Sequence, residues 1–141
     1  MFNLQTADTL TTACTERVPR RNAQGEIVAL NVGLVLINES RRVLGYQLLK
    51  VSTEVEGCSD APMIAAGELG GEIAALGSLV IDCGLLLDRP LSAGTVLRGT
   101  LRATFRYGAP HRLSDTLRLD VAISFKALSP GEIAVFRWHE I

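Results

Sequence analysis

A chain of 141 residues with 48% hydrophobic and 21% charged side chains has the length of one domain and the composition of a packed one, which excludes wholesale disorder. Its 14 basic and 15 acidic residues leave a formal net charge of −1, so the chain as a whole has no long-range attraction for nucleic acid or an anionic membrane. At this size roughly two thirds of the surface of the unfolded chain can be buried.

Residues 1 to 26 are polar and threonine-rich and read as an amino-terminal arm or edge strand, with Leu10, Thr12 and Cys14 alternating. Met1 to Thr6 lack the basic and apolar regions of a signal peptide, and no apolar run approaches the ~20 residues of a membrane helix. The expectation is synthesis in the cytoplasm without membrane insertion, a virion remaining open as a destination. Val18 to Gly25 reads as a loop, because proline and glycine interrupt it and charge replaces apolar periodicity.

Residues 27 to 141 read as a single β domain. Val28, Leu30, Val32, Leu34 and Leu36 alternate, and Val35 and Ile37 make the far end apolar on both faces, which is the pattern of a central strand. After the polar connection Asn38 to Arg42, residues 43 to 56 form a second alternating segment with Leu49, Val51, Thr53 and Val55 on one face; a hairpin is the simplest pairing of the two. From Gly57 to Gly77 glycine and alanine dissolve the periodicity, and a helical turn, a short strand and an irregular crossover fit equally well. Leu79 to Leu87 reads as a strand in which Cys83 shares a face with Leu79, Ile81 and Leu85.

The clearest signal follows. From Leu97 to Tyr107 and from Thr116 to Lys126 the chain alternates with period two, predicting an antiparallel hairpin with one apolar and one polar face. With residues 108 to 114 as the loop, pairing Tyr107 with Asp115 sets Arg102 opposite Asp120, Phe105 opposite Leu117, Gly99 opposite Ile123 and Leu97 opposite Phe125. Each face then matches itself across the ladder. Ser129-Pro130-Gly131 marks a turn before a last apolar run, Ile133 to Trp138. The spacing predicts an all-β fold, an antiparallel β-sandwich or flattened barrel of about seven or eight strands.

Chemistry is sparse. Cys14, Cys58 and Cys83 have no Cys-x-x-Cys spacing, and His111 and His139 lie in unrelated places, so no metal or cofactor site is expected. A Cys58–Cys83 disulfide is disfavoured by cytoplasmic synthesis. Gly67, Gly70 and Gly71 lack the lysine and hydroxyl of a phosphate-binding loop, and the glycines around Glu68 and Glu72 argue against a helix that would pair those carboxylates. Neither histidine has a recognisable nucleophile beside it in sequence, so the expectation is a protein that is not an enzyme.

Two features point to binding. Arg98, Arg102 and Arg106 repeat every four residues on the polar face of one strand, about 13 Å apart at ~3.3 Å per residue, with Arg118 and Lys126 on the neighbouring strand. Such a row suits a phosphate backbone or an acidic protein surface, but Phe105, Tyr107 and Phe125 point away from it, so it has no stacking platform for bases. Near the carboxyl end Trp138, with Phe136 and Arg137, has the residue types that protein interfaces favour, or else closes the core.

Residues 32 to 38 (Val-Gly-Leu-Val-Leu-Ile-Asn), 105 to 108 (Phe-Arg-Tyr-Gly) and the strand that follows resemble immunoglobulin-like sandwich modules of bacterial and phage proteins, over residues 27 to 128. The Cys, Trp, Cys arrangement of antibody domains is absent. The resemblance implies adhesion or assembly and transfers no functional residue. The expected function is a structural or protein-binding module, a subunit of a homomeric or virion-like assembly; the alternative is a nucleic-acid-binding module using the arginine row.

Overall fold

The computed structural model describes residues 9–129 and 132–141. Among the described residues nine strands form two antiparallel sheets: β1 (Leu10–Glu16), β2 (Arg20–Arg21), β3 (Ile27–Asn38), β4 (Leu44–Val55), β5 (Gly70–Ile73), β6 (Ser78–Leu86), β7 (Val96–Ala109), β8 (Arg112–Ser129) and β9 (Glu132–Glu140). The first sheet holds β1, β2, β3 and β6; the second runs β5-β4-β7-β8-β9. One apolar core between them draws on Leu34, Leu36 and Ile81 from the first sheet and Leu101, Phe105, Val121 and Phe125 from the second. The expected all-β sandwich is the observed one. Two of its strands are additions to the sequence reading, the two-residue β2 and the four-residue β5.

β3 is the central strand of its sheet, with β6 along one edge and β1 and β2 along the other. The threonine-rich segment is thus an edge strand, held by its full ladder to β3 and by the buried Leu10 and Cys14. Pro19 has no N–H for a ladder, and pairing lapses between β1 and β2 where Val18 stands 82% exposed. The part of the predicted loop at Arg20 and Arg21 nevertheless returns to β3. The end of β3 that is buried most completely is the amino-terminal one, at Ile27 and Ala29, rather than Val35 and Ile37, which are half-buried. There Leu91 N–H donates to the Ile27 carbonyl at 3.1 Å.

β3 and β4 are not a hairpin. They lie in different sheets, and the chain between them turns a corner built on Asn38, a polar residue 1% exposed. Its Nδ2 donates to the carbonyls of Arg42 (2.9 Å), Ile73 (3.1 Å) and Ala74 (3.1 Å), while its Oδ1 accepts from Ser40 N–H (2.9 Å) and Ser40 Oγ–H (2.8 Å). Its own N–H donates to Gly77 O at 2.8 Å. Alternation reports which face a residue takes, and says nothing of which neighbour a strand pairs with. That choice falls to this buried amide.

In β4 the register slips between Leu48 and Lys50. Leu44, Tyr46 and Leu48 therefore face the core, and Leu49, expected on the apolar face, is 45% exposed. The unassigned stretch from 57 to 77 contains a 3₁₀ turn at Ala66–Glu68 and β5. Met63 exchanges two backbone bonds with Gly84 of β6 (2.8 and 2.9 Å), and Leu48 N–H of β4 donates to Leu69 O at 2.7 Å. This segment thereby covers the edge of β6 and ties it to the edge of β4, closing one side of the sandwich.

The β7–β8 hairpin has the predicted register, with Arg102 opposite Asp120, Phe105 opposite Leu117, Gly99 opposite Ile123 and Leu97 opposite Phe125. It runs beyond the predicted loop, since Ala109 pairs with Arg112 past an irregularity at Gly108. With φ at +153° that glycine adopts backbone that other residues rarely reach. β9 pairs antiparallel with β8, placing Trp138 opposite Ile123 and Phe136 opposite Phe125, whose rings lie 5.0 Å apart.

Candidate functional site

The outer face of the five-stranded sheet is built by the alternation that builds the core. Because Leu97, Leu101, Ala103 and Phe105 turn inward, Arg98, Arg102 and Arg106 of β7 must turn outward. Register with β8 adds Arg118 and Lys126, and register with β9 adds Arg137. All six are exposed. Asp120 is the one carboxylate on this face among the described residues of the three strands, and Val96, Thr100, Thr104, Thr116, Ala122, Ser124 and His139 lie among the cations. On the flanking strand β4, Lys50 and Glu54 lie opposite Thr104 and Thr100.

Arg102 Nε stands 3.5 Å from Asp120 Oδ1, with side chains 58% and 41% exposed. A pair so open to water contributes no more than ~1 kcal/mol and neutralises one cation of six. The uncancelled charge is therefore local. From residue 51 to residue 88 the only charged residues are Glu54, Glu56, Asp60, Glu68, Glu72, Asp82 and Asp88, so acidic and basic stretches balance in the sum while separating along the chain.

The structure brings Arg98, Arg102, Arg106 and Arg118 together and sets Trp138 apart. Trp138 lies on the other side of β9, half-buried against the core, so it does not share a surface with the arginine row. Arg137 was missed as a member of the basic face. The signal was present, since Phe136 and Trp138 facing inward require Arg137 and His139 to face outward. Across the molecule, Arg17 Nε pairs with Asp82 Oδ1 at 2.7 Å on the outer face of the first sheet. Beside that pair a groove of about 540 Å³ is lined by Val18, Arg20, Asn31, Met63, Ile64 and Glu68 among others.

The groups that would serve catalysis are scattered. His111 is exposed at the tip of the β7–β8 turn, and His139 stands opposite Ala122 on the basic face. No three His, Cys, Asp or Glu side chains converge as a metal site among the described residues. No helix there is long and apolar enough to cross a membrane. All three cysteines are free and buried, and Cys83, 0% exposed, is the small core hydrophobe its strand pattern predicts.

Burial pushes the Cys14 thiol up to about 11. Burial and then Asp88 raise Cys58 to about 11, and burial and then Cys14 raise Cys83 to about 12. Thiols so raised are not thiolates near neutral pH and make poor nucleophiles. They also make stability depend on pH. In the unfolded chain they ionise near 9.0; above that pH the unfolded state loses protons that the folded state keeps. The stabilisation is complete below pH 9 and is lost as pH rises through about 11 to 12. Denaturant midpoints measured from pH 8 upward are expected to fall more steeply for the native sequence than for a Cys14→Ala/Cys58→Ala/Cys83→Ala variant, and parallel curves would refute this.

No family model matches the chain, and no curated protein matches it.

Proposed function

We propose that this domain is a non-enzymatic protein-binding module that docks an acidic protein surface on the outer face of β7, β8 and β9. The observation that supports it is the set of six exposed basic side chains that share the face of these three strands with one carboxylate, Asp120, among the described residues. A sheet face floored by threonine, serine and alanine is low between its arginines, and guanidinium groups recognise carboxylates in bidentate fashion. The core aromatics Phe105 and Phe125 lie on the opposite side of the sheet, leaving no platform on which unpaired bases would stack.

The test compares a labelled polyglutamate peptide with a single-stranded oligonucleotide of equal charge, at low salt. The peptide is expected to bind, to weaken as salt rises, and to be lost in the folded triple variant Arg98→Glu/Arg102→Glu/Arg106→Glu. Tighter binding of the oligonucleotide would instead favour nucleic acid, and binding of neither would refute the face as a docking surface.

A second reading, association with further copies of the chain, is favoured by β9. Among the described residues that strand pairs only with β8, and its outer edge is free to accept another strand. A discrete oligomer in light scattering, unchanged between low and moderate salt, is the result this reading requires, and a monomer at high concentration would sink it.

A further inference from the structure

On the outer face of β8, Ala122 and Ser124 are consecutive short side chains between Asp120 and Lys126. Register sets Ser124 between Arg98 of β7 and Arg137 of β9, and sets Ala122 between Thr100 and His139. With neighbouring strands ~4.8 Å apart, the backbones of Arg98 and Arg137 stand about 10 Å from one another. The outcome is a pit of about 200 Å³ walled by Arg98, Arg137 and His139 and lined between them by Ala122 and Ser124. Among the described residues neither guanidinium has an ion-pair partner, and the nearest carboxylate of this face on β8, Asp120, is taken by Arg102. Glu56, whose N–H donates to Arg98 O at 3.1 Å, lies on the far side of Arg98 from the pit, and Lys126 stands two residues beyond Ser124.

We propose that this pit binds a phosphoryl group carried on the partner. Charge and donor count select the ligand. Two unpaired guanidinium forks, the Ser124 hydroxyl and the His139 ring offer donors to three terminal oxygens, and a phosphate monoester brings about −1.5 to −2 charges to two cations. A carboxylate would leave one fork unmatched. Size sets a bound as well: the pit lies below the ~300 Å³ at which small-molecule sites begin, so it holds a phosphoryl group and its first attached atoms rather than a whole nucleotide. This deepens the docking reading above and rests on it.

The test is an amide-resolved NMR titration of the full chain with inorganic phosphate, O-phosphoserine and acetate at constant ionic strength. Both phosphates are expected to give saturable shifts centred on residues 98, 122 to 124 and 137 to 139, with acetate much weaker. Arg137→Gln is expected to weaken them roughly tenfold or more, the loss of one charge-assisted contact, whereas Arg112→Gln, exposed at the far end of β8 and outside the docking face, leaves them unchanged. Linear shifts, equal response to acetate, equal loss in Arg112→Gln, or exclusion of O-phosphoserine would each overturn the proposal. Polyglutamate binding that survives while phosphate fails would discard the pit and keep the face.

Discussion

Replacing Asn38 by alanine is expected to cost about 3 kcal/mol of stability and to lower Tm by on the order of 10 °C. The buried amide donates to three carbonyls and accepts twice from Ser40, and its own strand belongs to one sheet while Ile73 belongs to the other. Alanine leaves those carbonyls facing a space that offers no donor. Asn38→Asp tests the same contacts with shape held constant. It replaces a donor by acceptors, so the new carboxylate would face the carbonyls of Arg42, Ile73 and Ala74 and favour its protonated form. A carboxyl raised in this way is harmless at acid pH and costs stability as pH rises through its folded value. Thermal melts of Asn38→Asp at pH 4 and pH 7 are therefore expected to differ, with pH 7 the less stable relative to the native sequence. Melts that coincide with the native curve for both variants would show that the corner is held by something other than this side chain.

Gly99→Ala is expected to be about as damaging, for a steric reason. A Cβ at this position would collide with the Glu54 carbonyl oxygen and come within 2.5 Å of the Val55 Cα, both backbone atoms of β4 that no rotamer change can move aside. The central pair β4–β7 would have to separate, at a cost of about 3 kcal/mol. Gly67→Ala is the matched control, since a Cβ there meets nothing within 4 Å and needs no left-handed backbone. A midpoint for Gly99→Ala within error of Gly67→Ala would mean that the two strands are less closely apposed than described.

The β7–β8 register was legible in the sequence because both strands are long, strictly alternating and joined by a short connection. Any one-residue slip would have moved Phe105 and Leu117 to opposite faces. Leu49 was misplaced for the converse reason: a bulge adds one residue to β4, and the alternation on either side of it looks equally regular. β5 was unreadable because Gly70 and Gly71 have no side chain to report a face, and its four residues are placed by pairing with β4. The basic row on β7 was likewise visible as a four-residue repeat. Alternation along β9 also signals that Arg137 faces outward, but its position opposite Ser124, and the pit that Arg98 and Arg137 enclose, required the register of β9.

By itself, then, the pattern of side chains along the chain determined that the fold is all-β, which residues of β7 and β8 face inward, and that their arginines face out. Period-two alternation is a property of single strands, and burial of one face follows from it wherever the strand is placed. Sheet membership, the corner at Asn38, the closure of one side by the segment around Met63 and the gathering of six basic side chains on one surface were decided by the tertiary structure. Each depends on which backbone donors and acceptors meet across long sequence separations, and a net charge of only −1 conceals how the charges are distributed once those pairings are made.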